Sequence, residues 1–150
     1  DKNKFKELMQ QAVEKDPTNA ILYYNLGVIN GEQGEFKIAK EFYLKALELD
    51  SSYSATYLNL VGLILEGEGP IVEKMNKLVT SRKASDMKKY DELEKDRVNL
   101  YQECLPYLEK LIEIDPTNIE ALKTAKNIYY TIDDIDNFKL MNIKLQELEN

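Results

Sequence analysis

The sequence predicts an all-α protein built from antiparallel helix pairs repeated along the chain. Three observations predict it. The stretch from Asn19 to Ser52 holds two segments of helical apolar periodicity, divided by Gln33-Gly34-Glu35. That stretch recurs at a spacing of 34: shifted forward, Tyr23, Asn25 and Leu26 fall on Tyr57, Asn59 and Leu60, and shifted back, Tyr43 and Ala46 fall on Met9 and Ala12. A period of that length containing two helices is the pattern of a helical solenoid. Finally, six glycines and four prolines in 150 residues leave little room for a turn-rich β architecture.

Residues 1–18 open the chain with one helix, carrying Phe5, Leu8, Met9, Ala12 and Val13 on one face. Asp16-Pro17-Thr18-Asn19 ends it, because Pro17 cannot continue a helix and restrains the residue before it. Thr18 or Asn19 then caps the next helix through a side-chain oxygen. Residues 19–52 form a complete repeat. Its first helix spans 20–32, Gly34 supplies a left-handed turn residue, and its second helix spans 36–49 with Phe36, Ala39, Tyr43, Ala46 and Leu47 in one stripe. The small residues Gly27, Ala39 and Ala46 let the two helices approach closely.

The next repeat, 53–118, begins with Tyr57, Asn59 and Leu60 and is too long. Asp-Pro-Thr-Asn at 16–19 returns verbatim at 115–118, an offset of 99 where two repeats of 34 would give 68. Thirty-one residues are therefore inserted, near 66–97. Gly67 and Gly69 mark a break or kink, and Pro70 suits a first helical turn. Val72, Met75, Leu78 and Val79 make one stripe; Tyr90, Leu93, Val98, Tyr101, Leu105 and Leu108 make another. This predicts that both helices of the repeat are lengthened into an antiparallel hairpin projecting roughly 20 Å, with Met75 meeting Tyr90 and Val72 meeting Leu93. A loose loop is the other reading, but loops of that length are uncommon in compact domains. Pro106 lies in the returning helix and is expected to bend it. Residues 119–150 form the last repeat and a terminal cap, with Leu122 and Ala125 facing inward and Asp133-Asp134 at the turn.

Composition narrows the function classes. The net charge of −7 argues against a nucleic-acid partner, which would need a surplus of Lys and Arg. The single cysteine, Cys104, reads as a small apolar packing residue. The chain has no histidine, which removes the commonest metal ligand and general base together. No nucleophile–base pair, phosphate loop or metal cluster stands out, so neither enzymatic activity nor a cofactor is expected. Asp133-Asp134-Ile135-Asp136-Asn137 lacks the ligand spacing of a calcium loop. Most of the ten tyrosines, Tyr23, Tyr43, Tyr57 and Tyr129 among them, fall at packing positions. No apolar run is long enough to span a bilayer and no signal peptide is visible, which leaves cytoplasmic and exported or periplasmic locations both open. From Lys74 to Lys89 the insertion carries Lys74, Lys77, Arg82, Lys83, Lys88 and Lys89 against one acid, Asp86: a net +5 in a chain of −7. That tip is either a solvated end or a docking point for an acidic protein surface, an anionic polymer or a membrane headgroup.

The repeat resembles the tetratricopeptide (TPR) family. Tyr23, Leu26, Gly27, Ala39, Tyr43 and Ala46 carry the likeness, with Pro17 and Pro116 closing two other repeats. The resemblance implies a right-handed helix-turn-helix superhelix of bacterial type with one repeat extended, and it makes residues 1–18 the closing helix of a repeat whose first helix is missing upstream. It also implies a concave groove lined by Ile21, Tyr24, Asn25 and Val28, then Ala55, Leu58, Asn59 and Gly62, then Glu120, Lys123, Thr124 and Asn127. Apolar groups beside carboxamides suit an extended peptide. Asn25, Asn59, Lys123 and Asn127 partly echo the carboxylate clamp of some members, but Lys123 is the only cation in the row. Lys126 stands where Gly27 does and Phe138 where Ala39 does, which leaves tight packing of the last pair open. The function so implied is a non-enzymatic scaffold that binds a protein or peptide in the groove. The alternative is self-association into a homo-oligomer through the hairpin or an open solenoid end.

Overall fold

The structure, a computed structural model, describes residues 2–149, with only the backbone described at Lys2. Eight α-helices and no strands occur among the described residues. The chain divides into two units, Asp1–Leu63 and Ile64–Asn150.

The first unit holds α1 (Lys2–Lys15), α2 (Ala20–Glu32), α3 (Phe36–Leu49) and nearly all of α4 (Ser54–Leu65). Its turns are built by local hydrogen bonds that the sequence repeats. Thr18 Oγ1 donates to Asp16 Oδ1 (3.1 Å), and Asn19 Oδ1 caps α2 by accepting from the Ile21 N–H (3.2 Å). In the following repeat Asp50 stands in for Asp16, accepting from both the Ser52 N–H (2.9 Å) and hydroxyl (2.6 Å). Tyr23 and Tyr57 each reach back six residues, donating to the carbonyls of Pro17 (3.2 Å) and Ser51 (2.9 Å). So in these two repeats the tyrosine near the start of the first helix also pins the preceding turn.

The α2–α3 pair is close because its contact positions are small. Ala39 and Ala46 are fully buried. A Cβ on Gly27 would lie 2.5 Å from the Tyr43 ring, so only glycine fits there. Gly34 turns the chain with φ of 77°. Lys6 Nζ ties α1 to this turn through Glu35 Oε2 (2.7 Å) and Gln33 Oε1 (3.2 Å).

The second unit holds α5 (Glu68–Leu78), α6 (Ala84–Ile114), α7 (Ile119–Thr131) and α8 (Ile135–Glu149). The insertion is helical and forms an antiparallel pair, α5 on α6. It differs from the expectation in one arm. The returning helix is continuous over 31 residues, whereas the outgoing arm is a separate helix. The chain breaks at Glu66-Gly67, where Gly67 sits tight against α6: a Cβ there would come within 2.9 Å of Leu100 Cδ1 and 3.2 Å of the Ile64 carbonyl. The register sets Gly67 against Leu100 and Glu68 against Arg97 and Tyr101. Leu78 lines one cavity with Leu93 and another with Tyr90. Glu68 against Arg97 is the register of the expected Val72–Leu93 and Met75–Tyr90 pairs, which lie four and seven residues further along α5. Pro106 is exposed within α6 and does not interrupt it.

The last repeat copies the first turn by turn. Asn118 Oδ1 caps α7 by accepting from Ala121 N–H (3.0 Å), and Thr117 Oγ1 donates to Asp115 Oδ1 (2.8 Å). Asp133 takes the Gly34 place with φ of 63°, and the Asp134 N–H bonds to the Tyr129 carbonyl (2.8 Å) as Glu35 does to Asn30 (2.9 Å). Ala121, Leu122 and Ala125 are fully buried, so α7 and α8 do pack closely. The departures compensate one another: the same 99-residue offset that puts Lys126 at the Gly27 position puts Asn142 at the Tyr43 position, removing the ring that demanded glycine. Phe138 lies against Tyr130, ring centres 5.5 Å apart.

Candidate partner-binding surface

In the first unit, six of the residues implicated by sequence lie on α2 and α4. Tyr24, Asn25 and Val28 come from α2; Leu58, Asn59 and Gly62 from α4. All but the exposed Gly62 are half-buried, the condition of side chains that line a wall while still facing solvent. The two helices are clamped by Asn59 Nδ2 donating to Tyr24 Oη (3.0 Å) and by Leu63 lying against Gly31, where a Cβ would be 3.6 Å from Leu63 Cδ1. Gly62 leaves a gap in the wall, since a Cβ there would meet nothing within 4 Å.

Tyr24 is the centre of an aromatic cluster. It packs edge-on against Tyr53 (5.0 Å, 71°) and tilted against Tyr43 (6.1 Å, 45°). Burial, with a smaller contribution from Tyr24 itself, pushes the Tyr43 hydroxyl up to about 12. It is therefore a neutral packing group at any physiological pH. The cluster holds Tyr24 in one orientation, which makes the strip of surface around it rigid.

Asn25 and Asn59 occupy equivalent repeat positions yet behave differently. Asn59 is spent on the clamp to Tyr24. The Asn25 carboxamide makes no side-chain hydrogen bond among the described residues, so its donor and acceptor both remain available. Asn30, one turn further on, is fully buried and donates to the Leu26 carbonyl (2.7 Å), a structural role.

Lys123 and Asn127 lie in the second unit, both on α7 four residues apart and both open to solvent at least in part. The six cations of the insertion lie in the same unit around the α5–α6 end. Lys74 and Lys77 are on α5, Arg82 and Lys83 in the connection, Lys88 and Lys89 in the early turns of α6, and all are exposed. Lys77 pairs with Glu73 (2.7 Å) and Lys88 approaches Glu92 (4.0 Å).

Three features lie beyond what periodicity and repeat spacing reveal. Tyr53 joins the cluster from outside any stripe, though an aromatic one residue before a helix start is a visible signal. Val79 and Met87 flank the connection and are 62% and 59% exposed, although Val79 falls in an apolar stripe. Glu68 pairs with Arg97 across 29 residues, a distance at which sequence carries no cue. No helix among the described residues is long and apolar enough to cross a membrane.

Residues 20–53 match the tetratricopeptide repeat family. No curated protein matches the chain. Among solved structures, the chain is similar to YrrB, described as a TPR protein with an unusual peptide-binding site, at 20% identity and a TM-score of 0.40, over 95% of this chain and 75% of that one. It is similar to a MamA double mutant (MamA RS-1 ArsTM) at 14% identity and a TM-score of 0.45, over 99% and 85%. It is also similar to PilF of Pseudomonas aeruginosa at 18% identity and a TM-score of 0.41, over 98% and 68%.

Proposed function

Because residues 20–53 are a tetratricopeptide repeat, we propose that the chain is a protein-interaction scaffold whose first unit binds an extended peptide along α2 and α4. One observation carries the reading: Asn25 presents an unspent carboxamide between the half-exposed apolar side chains of Tyr24 and Val28, beside a wall held rigid by the Asn59–Tyr24 bond. A carboxamide with both donor and acceptor free can pair with a peptide N–H and C=O at once, while its apolar neighbours bury the peptide's side chains. A rigid wall spares the ordering cost that a flexible one would incur on binding.

The test is selection from a random displayed-peptide library against the intact chain, followed by titration of the enriched peptides. Asn25→Ala and Val28→Ser are each expected to weaken binding about tenfold, with Glu41→Ala on exposed α3 surface as a neutral control. Failure to enrich any peptide, or enriched peptides that bind the Asn25→Ala and Val28→Ser variants as tightly, would remove the proposal.

The end helices support a second reading, self-association. Phe5 and Leu8 on α1 are 49% and 50% exposed, and Leu140 and Ile143 on α8 are 44% and 52% exposed. Contact between copies would cover such faces. Sedimentation over a range of concentrations decides it, a constant monomer mass being the result that excludes it.

A further inference from the structure

We propose that the end of the α5–α6 pair is a docking surface for an anionic lipid bilayer, a role independent of the peptide strip on α2 and α4. In the second unit, α5 runs along α6 from Gly67 beside Leu100 to Leu78 beside Tyr90. At 1.5 Å per residue the start of α6 lies roughly 25 Å along the helix from the buried Tyr101. At that far end two large apolar side chains stand open to solvent, Val79 at 62% and Met87 at 59%, on either side of the connection. Around them sit Lys74, Lys77, Arg82, Lys83, Lys88 and Lys89, all exposed.

The arrangement of these charges selects the partner. Lys74, Lys77 and Lys89 border one cavity of the pair, Arg82 borders a second, and Lys83 and Lys88 border neither, so the cations are spread over the end and not gathered in one cleft. A peptide lying in one cleft would meet only some of them. It would also meet acids, because Glu92 and Asp96 line the first cavity and Asp91 the second. An extended anionic plane approached end-on can meet more of them together. Positive charge is least opposed at the end itself: Arg82, Lys83, Lys74 and Lys89 make no ion pair among the described residues, and Asp86 is the one acid between Lys74 and Lys89. The Lys77–Glu73 and Lys88–Glu92 pairs are exposed and weak, so both lysines stay available to headgroups. Val79 and Met87 would enter the headgroup boundary, as apolar groups on peripheral membrane surfaces do. The remainder of the chain carries −12 and would be repelled by the same lipids.

The test is co-sedimentation of the intact chain with vesicles of phosphatidylcholine containing about 30% phosphatidylserine, against phosphatidylcholine alone, at low and high salt. Binding is expected only to the anionic vesicles and should fall steeply with salt. Reversing Lys83, Lys88 and Lys89 together to Glu should weaken it by roughly a hundredfold. Val79→Ser with Met87→Ser should weaken vesicle binding several-fold yet leave binding to soluble polyglutamate unchanged. The substituted residues are all exposed, and unchanged circular dichroism serves as the folding control. Equal binding to neutral vesicles, no binding to anionic ones, or indifference to the charge reversal would overturn the proposal. So would a Val79/Met87 variant that binds vesicles normally while polyglutamate competes fully, since an acidic protein surface would then be the partner.

Discussion

At the scale of single residues, the α2–α3 contact is decided by the absence of one carbon. Gly27 faces the Tyr43 ring at a distance where a Cβ would be 2.5 Å away, and Tyr43 is itself buried and flanked by Tyr24. A ring in that position cannot swing aside without disturbing the aromatic cluster. Gly27→Ala is therefore expected to destabilise by about 1–3 kcal/mol through overpacking, even though alanine is the better helix former. Thermal or urea unfolding reads the difference, and an equal or higher midpoint would contradict this packing scheme. Lys126 occupies the equivalent place in the last repeat without penalty because Asn142, not tyrosine, stands opposite in the repeat pattern.

At the scale of elements, the α5–α6 pair is fastened at its base by one carboxylate. Glu68 Oε1 accepts from Arg97 Nε (2.9 Å) and from the Tyr101 hydroxyl, and Arg97 lies over the Tyr101 ring at 5.4 Å. Glu68 and Arg97 are only 28% and 27% exposed, so the pair is better shielded than a surface ion pair. Removing the acceptor strands a half-buried guanidinium and a buried phenol. Glu68→Ala is expected to cost about 1–3 kcal/mol and to speed hydrogen exchange along α5 more than along α2 and α3; uniform exchange would show that apolar contact alone holds α5. This fastening is the kind of feature the sequence does not display. The turns were legible because Asp, Thr and Asn bond within three residues of themselves, and identical tetrapeptides at 16–19 and 115–118 make the same bonds. The inserted length was legible as arithmetic, and the helical stripes survived in it. Gly67 signalled a break, but its close approach to Leu100, 33 residues away, carries no local cue. On the candidate surface the lining positions came from the family resemblance and not from periodicity. The unlike fates of Asn25 and Asn59 came from neither, since they follow from where Tyr24 places its hydroxyl.

At the scale of the whole molecule, pH dependence follows from what titrates and what does not. The chain has no histidine, so no side chain of that kind charges between pH 5 and 8. At the acid end, hydrogen bonds from Ser52 and from Thr117 hold the Asp50 and Asp115 carboxyls below their usual range. Their contribution is present above the unfolded value near 3.8 and is lost as pH falls through the lower folded values; both groups are fully exposed, so the loss is shallow. The alkaline limb should be steeper. Burial raises Tyr43 from 10.0 to about 12, burial followed by the Glu109 carboxylate raises Tyr129, and burial followed by Glu68 raises Tyr101. In each case the unfolded phenol releases its proton first, near pH 10, while the folded one retains it. The folded state then binds more protons than the unfolded, so stability is intact below about pH 10 and declines as pH climbs through the folded values. Unfolding midpoints should accordingly be level through neutral pH and drop above about 10. The drop should coincide with a rise in tyrosinate absorbance from Tyr43, Tyr101 and Tyr129. Tyr43→Phe should remove some of the alkaline loss while leaving the acid limb unchanged; a variant that declines at alkaline pH as steeply as the parent would show that Tyr43 ionises in the folded chain as freely as in the unfolded one.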